Sequence, residues 1–418
     1  MRNNAQKRMK IWVAGFGNEN REDDAAGTIL AGRIHKFLEA EPDLDVVLCL
    51  EHQLLPELVE ELEGVDLAVF CDADAVLHPE GFSLREARPN SRLDGFNIHS
   101  MGPEWLLALA EQMGTPPGKA LLLTISGERF NFSETPTAVC AERIDRAEKA
   151  FRNCWRQNAL KDSVLENMRF TLEAAGSLKS CRFFSFDDDA FLLATGTDAA
   201  SENWAFIPRS LTGEESEAKI SQTLAFFQNL RLPFIWPILP GTAESFQTLL
   251  EAQGLPVQGE LVAMARSSPP AEETGKNFCN CACDEAATSE DAALWAKIAW
   301  RAFGSSSDAP ESFINLARGL CSRPDFTLVT ASRGGRPVGT YLLSASRSGT
   351  GVYYFATLPE ARRTGAGKAM MSDIFLRAAE RGRPVTLQST PSGLPFYLAQ
   401  GFERLFDIPV HSQSSDIF

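Results

Sequence analysis

The chain has 418 residues, of which 44% are hydrophobic and 23% are charged, a balance that is ordinary for a globular protein. A chain of this length predicts two or three domains. The formal net charge of −15 argues against nonspecific binding to nucleic acid, which needs a basic face. No apolar run reaches the roughly 18 residues that span a bilayer, so we expect no membrane segment.

The cellular compartment is indicated by the first residues and by the cysteines. The segment MRNNAQKRMK is basic, but only one strand's worth of apolar residues follows it, which does not fit a secretory signal. The nine cysteines are an odd number, and several lie in apolar runs, among them Cys49, Cys71 and Cys140. This usage favours a reducing cytoplasm over a disulfide scaffold.

Residues 10–158 alternate short apolar runs with amphipathic stretches. The candidate strands are Ile11–Ala14, Val46–Leu50, Leu67–Cys71 and Ala120–Ile125, with Phe82–Ala87 as an extra edge strand. The candidate helices are Asp23–Leu38, Leu55–Leu62, Pro103–Gln112 and Ala138–Arg156. This order predicts an α/β domain over 1–158 with a doubly wound, mostly parallel sheet of the phosphorylase or hydrolase type. The pattern becomes polar at Asn158–Glu166, where we place the first boundary.

The remainder of the chain predicts two further α/β units with mixed sheets. The unit over 167–268 has candidate strands Ala190–Thr195, Trp204–Pro208 and Phe234–Leu239, and helices Glu215–Leu230 and Ala243–Ala252. Residues 269–289 are small and polar, as in a linker or long loop, and we place Cys279–Cys283 in this exposed loop rather than in a metal cluster. The unit over 290–418 has helices Ala292–Phe303 and Pro310–Leu320, and strands Thr327–Ala331, Val338–Ser344, Val352–Thr357 and Val385–Gln388.

Three polar residues of the first domain, Asp24, Asp72 and His99, each come after a strand-like apolar run. Asp72 ends the run LAVFC, at the carboxyl end of a strand, where ligand sites of α/β folds form. Two carboxylates and one imidazole at a common sheet edge would make a divalent-metal site. The alternative for Asp23 and Asp24 is helix capping, since carboxylates in a first turn complement the helix dipole.

A dinucleotide-binding fold is the rival interpretation of this region. Gly15-Phe16-Gly17 follows a strand and opens a helix, and Glu51 ends the second strand, where a ribose-binding acid would lie. The third glycine of that motif is absent, because the position holds Asn20. Asp23 and Asp24 would also place negative charge where a pyrophosphate binds. Both features disfavour the nucleotide interpretation.

Five segments occur in order along residues 9–155: GFGNENREDD, HQLLPEL at 52–58, VFCDA at 69–73, IHSMGPEWLLALA at 98–110 and LLLTISGERFNFSETPT at 121–137. In this they resemble the hydrogenase maturation endopeptidases. The resemblance implies that Asp24, Asp72 and His99 hold a metal, the nickel borne by the substrate, and that Asp24 and Asp72 act in catalysis. The implied reaction removes a C-terminal tail from a hydrogenase large subunit or a similar metalloprotein precursor.

One departure from that family leaves a second function open. A glycine-rich turn often follows the second strand in the family, whereas this chain has Glu51-His52-Gln53-Leu54. The domain would then recognise a metalloprotein without cutting it, and target the activity carried by the rest of the chain.

Near the other end, Arg362-Arg363-Thr364-Gly365-Ala366-Gly367-Lys368 follows the strand GVYYFAT and leads into a predicted helix, Lys368–Arg381. We call residues 362–368 the glycine loop. Glycines let successive backbone amides turn toward an anion, and a helix N-terminus adds its dipole. The alternative is an ordinary tight turn between strand and helix. The strand VTLQS and the segment FYLAQGF at 396–402 follow in order.

This order resembles the GNAT acetyltransferase superfamily over about 290–410. The resemblance implies binding of acetyl-CoA by Thr357, Leu358, Arg362, Arg363, Thr364, Gly365, Ala366, Gly367 and Lys368. It also implies that Tyr397 protonates the departing thiolate, with aromatic packing as the alternative. The acceptor amine is unknown, and the general base that deprotonates it is not placed, with Glu360 and a water as the two candidates. Residues 167–268 also resemble a GNAT half, through FLLATG, NWAFIP and FIWPILPG. They lack the glycine loop, so we predict a degenerate partner in a tandem arrangement.

Overall fold

The computed structural model describes residues 8–41, 43–90, 102–208, 211, 213–267, 281–305, 307–415 and 417. The chain divides into two compact units, Met1–Arg156 and Gln157–Phe418, which we call unit 1 and unit 2. Within the described ranges, no helix has both the length and the apolar character needed to cross a membrane. The eight cysteines in these ranges are all free thiols.

Unit 1 is built on a five-stranded sheet. Its strands are β1 (Met9–Phe16), β2 (Leu44–Glu51), β3 (Leu67–Asp74), β4 (Phe82–Glu86) and β5 (Lys119–Ser126), in the order β2-β1-β3-β5-β4. All neighbours pair in parallel except β4, which is antiparallel at the edge. The helical elements are the 3-10 helices Glu22–Ala25 and Pro56–Leu62, α1 (Ala26–Glu39), α2 (Pro103–Met113) and the first part of α3 (Ala138–Gly176), which continues past Arg156 into unit 2.

Alternation along the strands of unit 1 builds a core on each face of the sheet. Ile11 and Val13 of β1 pack with buried residues of α1 and the first part of α3. Trp12 and Ala14 face the other way and pack with α2 and the 3-10 helix Pro56–Leu62. Successive strand residues point to opposite faces, so one apolar run serves both layers. The predicted doubly wound, mostly parallel sheet is confirmed.

Unit 2 contains an eight-stranded mixed sheet and a three-stranded antiparallel sheet. The strands are β6 (Arg182–Ser185), β7 (Phe191–Ala194), β8 (Trp204–Phe206), β9 (Trp236–Pro237), β10 (Val257–Arg266), β11 (Ala282–Glu285), β12 (Phe326–Arg333), β13 (Arg336–Ala345), β14 (Thr350–Thr357), β15 (Val385–Ser389) and β16 (Glu403–His411). The large sheet has the order β11-β12-β13-β14-β15-β10-β16-β9, and the small one β6-β7-β8. The helices are α4 (Gly213–Leu230), α5 (Glu244–Ala252), α6 (Ser289–Ala302), α7 (Glu311–Cys321), α8 (Ala366–Ala379) and α9 (Leu394–Ala399).

The large sheet takes strands from both segments that the sequence assigns to separate units. β10, from residues 167–268, lies between β15 and β16 and pairs antiparallel with both. β9 from the same segment completes one edge. The α/β class with mixed sheets is confirmed, and the division into tandem halves stays a prediction.

The sequence places the first boundary at Asn158–Glu166, and the two units divide close to it, between Arg156 and Gln157. The polar stretch is helical, because α3 runs through it and buries Leu160, Val164 and Met168 along one stripe. That spacing is helical, and the polar residues cover the other side. Residues 282–285, assigned to an exposed loop, form β11 at the edge of the large sheet, where Cys281 and Cys283 pack against its core. Residues 268–280, with Cys279, lie outside the described part.

Candidate functional site

The first candidate site lies at the carboxyl ends of β1 and β3. Asp24 belongs to the 3-10 helix Glu22–Ala25, and Asp72 belongs to β3. Between them, Gly27 lets the first turn of α1 approach the sheet closely. A Cβ on Gly27 would lie 2.2 Å from the Phe16 carbonyl oxygen and 2.9 Å from the Asp72 Cα. The absence of a side chain at Gly27 therefore brings the two half-buried carboxylates to a common edge.

The electrostatics agree with this placement. The pKa of Asp72 is raised to about 6, first by burial and then by repulsion from Asp24 and Asp74. The backbone N–H of Ala73, which donates to Asp72 Oδ1 at 2.8 Å, works in the opposite direction. Asp24 Oδ2 accepts a hydrogen bond from the Asn18 N–H at 2.9 Å. Two carboxylates that repel one another at an edge are suited to a shared cation.

The third predicted ligand, His99, lies outside the described residues, as do all of 91–101. Within the ranges given above, no group of three or more His, Cys, Asp or Glu side chains is arranged to hold a metal ion. The metal triad of Asp24, Asp72 and His99 therefore stays a prediction, in which the described pair would supply two of the three ligands.

Asp23 has a different role from its neighbour. It is fully buried, and its carboxylate accepts from the N–H of Glu128, Arg129 and Thr137 at 2.8, 3.1 and 2.7 Å and from the Thr137 hydroxyl at 3.1 Å. Burial alone would raise its pKa, but these bonds outweigh it and the pKa is lowered. Neither Asp23 nor Asp24 caps α1, whose N-cap has no side-chain hydrogen bond. Asp23 instead anchors residues 128–137 beside the carboxylate edge.

The second candidate site lies in unit 2, where β14 and β15 separate. These parallel strands pair at only two positions, Thr350 with Val385 and Gly351 with Thr386. Farther along β14, Tyr354 and Phe355 together stand opposite the single residue Tyr341, which is a β-bulge. A cavity of about 1920 Å³ opens here, and both strands line it.

The glycine loop stands at one side of this cavity. Gly365 has φ +90° and precedes α8, a backbone conformation that favours glycine. The Arg362 guanidinium donates to the Ala302 and Thr357 carbonyl oxygens at 3.2 and 3.3 Å, which fixes the start of the loop. Six of the predicted coenzyme residues line the cavity: Thr357, Arg362, Arg363, Gly365, Gly367 and Lys368.

The other three predicted residues do not line the cavity with their side chains. Leu358 and Ala366 are buried in the core of the large sheet. Thr364 donates its hydroxyl to the Ala361 carbonyl oxygen at 2.7 Å. The side chains of these three residues pack on the side of the loop away from the cavity, so only their backbone atoms can contact a ligand.

Tyr397 lies on α9 and lines the same cavity. Its ring packs among Phe355, Phe396 and Phe402, with centroid distances of 5.9, 5.4 and 5.8 Å. Burial raises the pKa of its hydroxyl, which makes no hydrogen bond within the described part of the chain. A phenol held neutral and facing a cavity can donate a proton, and the aromatic packing holds it in place for that role.

Sequence reasoning missed one acidic residue in this cavity, Glu202. It follows β7 in a short 3-10 helix, lines the cavity, and accepts a hydrogen bond from the Tyr354 hydroxyl at 2.7 Å. Burial raises the pKa of Glu202 to about 7, against the smaller lowering effect of the Tyr354 bond. No local motif marks it, because its position depends on the approach of β14 from 150 residues later in the chain. Glu360, one of the predicted bases, instead pairs with Arg301 at 2.6 Å and is largely exposed.

Comparison with known proteins found one family model and several solved structures that are similar to parts of the chain. The family model described as "Acetyltransferase (GNAT) domain" matches residues 296–412. No curated protein matches the chain. A GCN5-related N-acetyltransferase from Kribbella flavida is 16% identical and covers 59% of this chain and 95% of its own, with a TM-score of 0.43. A [NiFe] hydrogenase maturation protease from Thermococcus kodakarensis is 24% identical and covers 34% of this chain and 90% of its own, with a TM-score of 0.27.

A tandem GNAT protein from the clavulanic acid biosynthesis pathway is 12% identical and covers 61% of this chain and 93% of its own, with a TM-score of 0.41. The family match spans the glycine loop, the separating strands and Tyr397, the features from which the site in unit 2 is built. Residues 296–412 therefore carry a GNAT acetyltransferase domain.

Proposed function

We propose that the chain is a bifunctional cytoplasmic protein. Unit 2 is an acetyl-CoA-dependent N-acyltransferase that acts on an amine. Unit 1 is a metal-dependent endopeptidase that processes the C-terminus of a hydrogenase large subunit or a similar nickel metalloprotein precursor. The second function for unit 1 is recognition of such a precursor without cleavage, so that the transferase is brought to its target.

The transferase proposal is carried by the separation of β14 and β15 beside the glycine loop, within the matched domain. The gap suits the arm of acetyl-CoA, because Gln388 of β15 lines it with a buried side-chain amide nitrogen that has no hydrogen-bond partner among the described residues. Arg362, Arg363 and Lys368 supply positive charge at the mouth for the pyrophosphate.

Bound acetyl-CoA supplies a thioester whose carbonyl carbon is open to attack by an amine. The residues of the chain do the rest. The glycine loop and the N-terminus of α8 bind the anionic end and orient the thioester along the gap between the strands. Tyr397 holds a proton at its hydroxyl and gives it to the departing sulfur.

The coenzyme assignment is tested with Gly365→Glu, and Gly382→Glu is the control. Both glycines have positive φ, +90° and +62°, so both substitutions add similar backbone strain of about 1–2 kcal/mol. Only Gly365 lines the cavity, where a carboxylate would repel the pyrophosphate. We expect calorimetry to show loss of acetyl-CoA binding for Gly365→Glu alone. Equal binding by the two variants would contradict the assignment.

The endopeptidase proposal rests on the resemblance in sequence and on the meeting of Asp24 and Asp72 at one edge. The nickel ion arrives as part of the substrate, and the two carboxylates offer it oxygen ligands. Cleavage would then be confined to precursor that is already loaded, because an empty precursor brings no cation to neutralise the repulsion between the carboxylates.

Tail removal from a nickel-loaded large-subunit precursor tests this proposal. The wild-type chain, Asp24→Ala and the exposed control Asp45→Ala of β2 are compared by mass spectrometry of the precursor. We expect cleavage by wild type and control, and none by Asp24→Ala. Binding of the loaded precursor by the wild type without cleavage would favour the recognition function, and absence of both would exclude unit 1 from either role.

A further inference from the structure

We propose that Glu202 is the general base of the acyl transfer and that the acceptor is a primary amine carried on an aromatic or other apolar body. The proposal deepens the transferase half of the proposed function and rests on it. It assigns the base to the segment before the matched domain, since residue 202 lies outside residues 296–412.

The position of Glu202 in the fold is the first support. Its carboxylate faces the cavity while the Tyr354 hydroxyl holds one oxygen, Oε2, at 2.7 Å. The next residue of β14, Phe355, packs against Tyr397 at a centroid distance of 5.9 Å. At the bulge in β14, the pair of Tyr354 and Glu202 and the pair of Phe355 and Tyr397 therefore line the same cavity. A base and an acid on opposite sides of a reacting centre are what acyl transfer to an amine requires.

The distribution of charge along the cavity is the second support. Among the described lining residues, the basic ones are Arg362, Arg363 and Lys368, all in the glycine loop, and the acidic ones are Asp198 and Glu202, which lie close together in the chain. The cavity thus has a basic end for an anionic ligand and an acidic region for a cationic one. An amine that arrives as an ammonium ion is attracted to the acidic region and releases one proton to solvent before its nitrogen attacks.

The walls beside Glu202 select the body of the acceptor. Trp204, Trp300, Phe303 and Phe313 line this part of the cavity. The Tyr354 ring stands 5.5 Å from the Phe313 ring and 6.3 Å from the Phe303 ring, so the carboxylate is framed by aromatic faces. Such walls bind an aromatic or aliphatic body well, because burying its apolar surface is favourable.

The groups around Glu202 suit it to a base near neutral pH. Tyr354 approaches from β14, and the Cys181 thiol lies near enough to interact with the carboxylate. Neither carries positive charge, so burial dominates and the pKa of Glu202 rises to about 7. A base with this pKa is ionised above neutrality and binds a proton firmly enough to remove one from an amine.

In the reaction, the amine nitrogen forms a bond to the thioester carbonyl carbon, and the bond from that carbon to sulfur breaks. The nitrogen gives its proton to Glu202, and the sulfur receives the proton of the Tyr397 hydroxyl. The products are an amide and the free thiol of coenzyme A. Proton exchange with solvent returns Glu202 to the carboxylate and Tyr397 to the phenol.

The test uses the full chain, acetyl-CoA, and two amines, 2-phenylethylamine and spermidine, with thiol release as the readout. We compare wild type, Glu202→Gln, Tyr354→Phe and the matched control Glu217→Gln, whose residue is exposed on α4. We expect wild type to prefer 2-phenylethylamine. Glu202→Gln should lower kcat/KM by about 100-fold or more, the range typical of a lost base, with an unchanged Kd for acetyl-CoA. The control should match wild type.

The pH profile separates a base from a structural carboxylate. The wild-type rate should fall as pH drops below about 7, the pKa of Glu202, and Glu202→Gln should lose this acid limb. Tyr354→Phe removes a hydrogen bond that lowers the pKa, so its acid limb should move to higher pH. If Glu202 had only a structural role, its substitution would change the rate but would leave the acid limb of the pH profile at the same pH.

Four outcomes would overturn the inference or one of its parts. If Glu202→Gln has activity within threefold of wild type and the same pH profile, Glu202 is not the general base. Preference of the wild type for spermidine would contradict the proposal that the acceptor amine is carried on an apolar body. Failure of the wild type to bind acetyl-CoA would overturn the proposed function itself, whereas binding without transfer to 2-phenylethylamine would overturn the acceptor class alone.

Discussion

The buried carboxylate of Glu202 should cost the folded protein stability at high pH. Its pKa is about 7 in the folded state, against the ordinary value of 4.5. The folded state therefore binds this proton more tightly than the unfolded chain, and stability falls as pH rises from about 4.5 to about 7. At about 1.4 kcal/mol per pKa unit, the full effect is about 3 kcal/mol above pH 7. Glu202→Gln keeps an oxygen that can accept from Tyr354 and removes the ionisation, so it should escape this loss.

Hydrogen exchange measures the effect within unit 2 of the intact chain. Peptides that contain residues 200–206 and β14 should be clearly better protected in Glu202→Gln than in wild type at pH 8.5, and only slightly better protected at pH 5, where about 1 kcal/mol of the wild-type cost is already present. The difference between the two pH values should therefore be about 2.5 kcal/mol. Glu217→Gln is the control at both pH values. Equal protection of wild type and Glu202→Gln at pH 8.5 would refute the argument that burial raises this pKa.

Three further predictions concern the two sites. Tyr397→Phe should lower kcat by about 10- to 100-fold in the thiol-release assay while the Kd for acetyl-CoA stays unchanged, because only the proton donor is lost; an unchanged kcat would leave Tyr397 with a packing role. Asp23→Asn should destabilise unit 1 by about 2–4 kcal/mol in urea unfolding and should expose residues 128–137 to protease. The reason is that a fully buried carboxylate with four hydrogen bonds is replaced by an amide whose NH2 group repels some of the same donors. Protease resistance like that of wild type would contradict the anchoring role of Asp23. Gly27→Ala should lower the free energy of unfolding by about 3 kcal/mol or more, because its Cβ would lie 2.2 Å from the Phe16 carbonyl oxygen. It should also reduce precursor cleavage, because it moves Asp24 away from Asp72. Stability equal to that of wild type would show that α1 can shift without cost.

The parts of the fold that the sequence predicted are those whose side chains follow one clear period. The four parallel strands of unit 1 contain continuous apolar runs, and each lies within a few residues of its predicted position. The strands that were missed carry this signal only in part. β10 has an apolar run in its second half, residues 261–265, but Gln258, Gly259 and Glu260 precede it, and β16 contains Pro409, so neither resembles a complete central strand although they pair along most of their length.

The residues of the candidate sites likewise differ in how well the local sequence predicts them. The glycine loop was found because its residues are adjacent and their chemistry is local. Glu202 was not found, because its function depends on Tyr354, which local pattern cannot place beside it. Asp23 and Asp24 are neighbours with similar chemistry, yet one anchors residues 128–137 and the other stands at the sheet edge beside Asp72. Which of two adjacent carboxylates is buried depends on tertiary packing, so no spacing rule could separate them.

The place of β10 in the large sheet limits how the protein can be divided in the laboratory. A fragment limited to residues 296–412 would leave β15 and β16 with no strand to join them, and each would present an unsatisfied row of backbone groups. Such a fragment should precipitate on expression, although it contains the whole family match. Any gene design that seeks the transferase alone has to begin well upstream of the recognised domain.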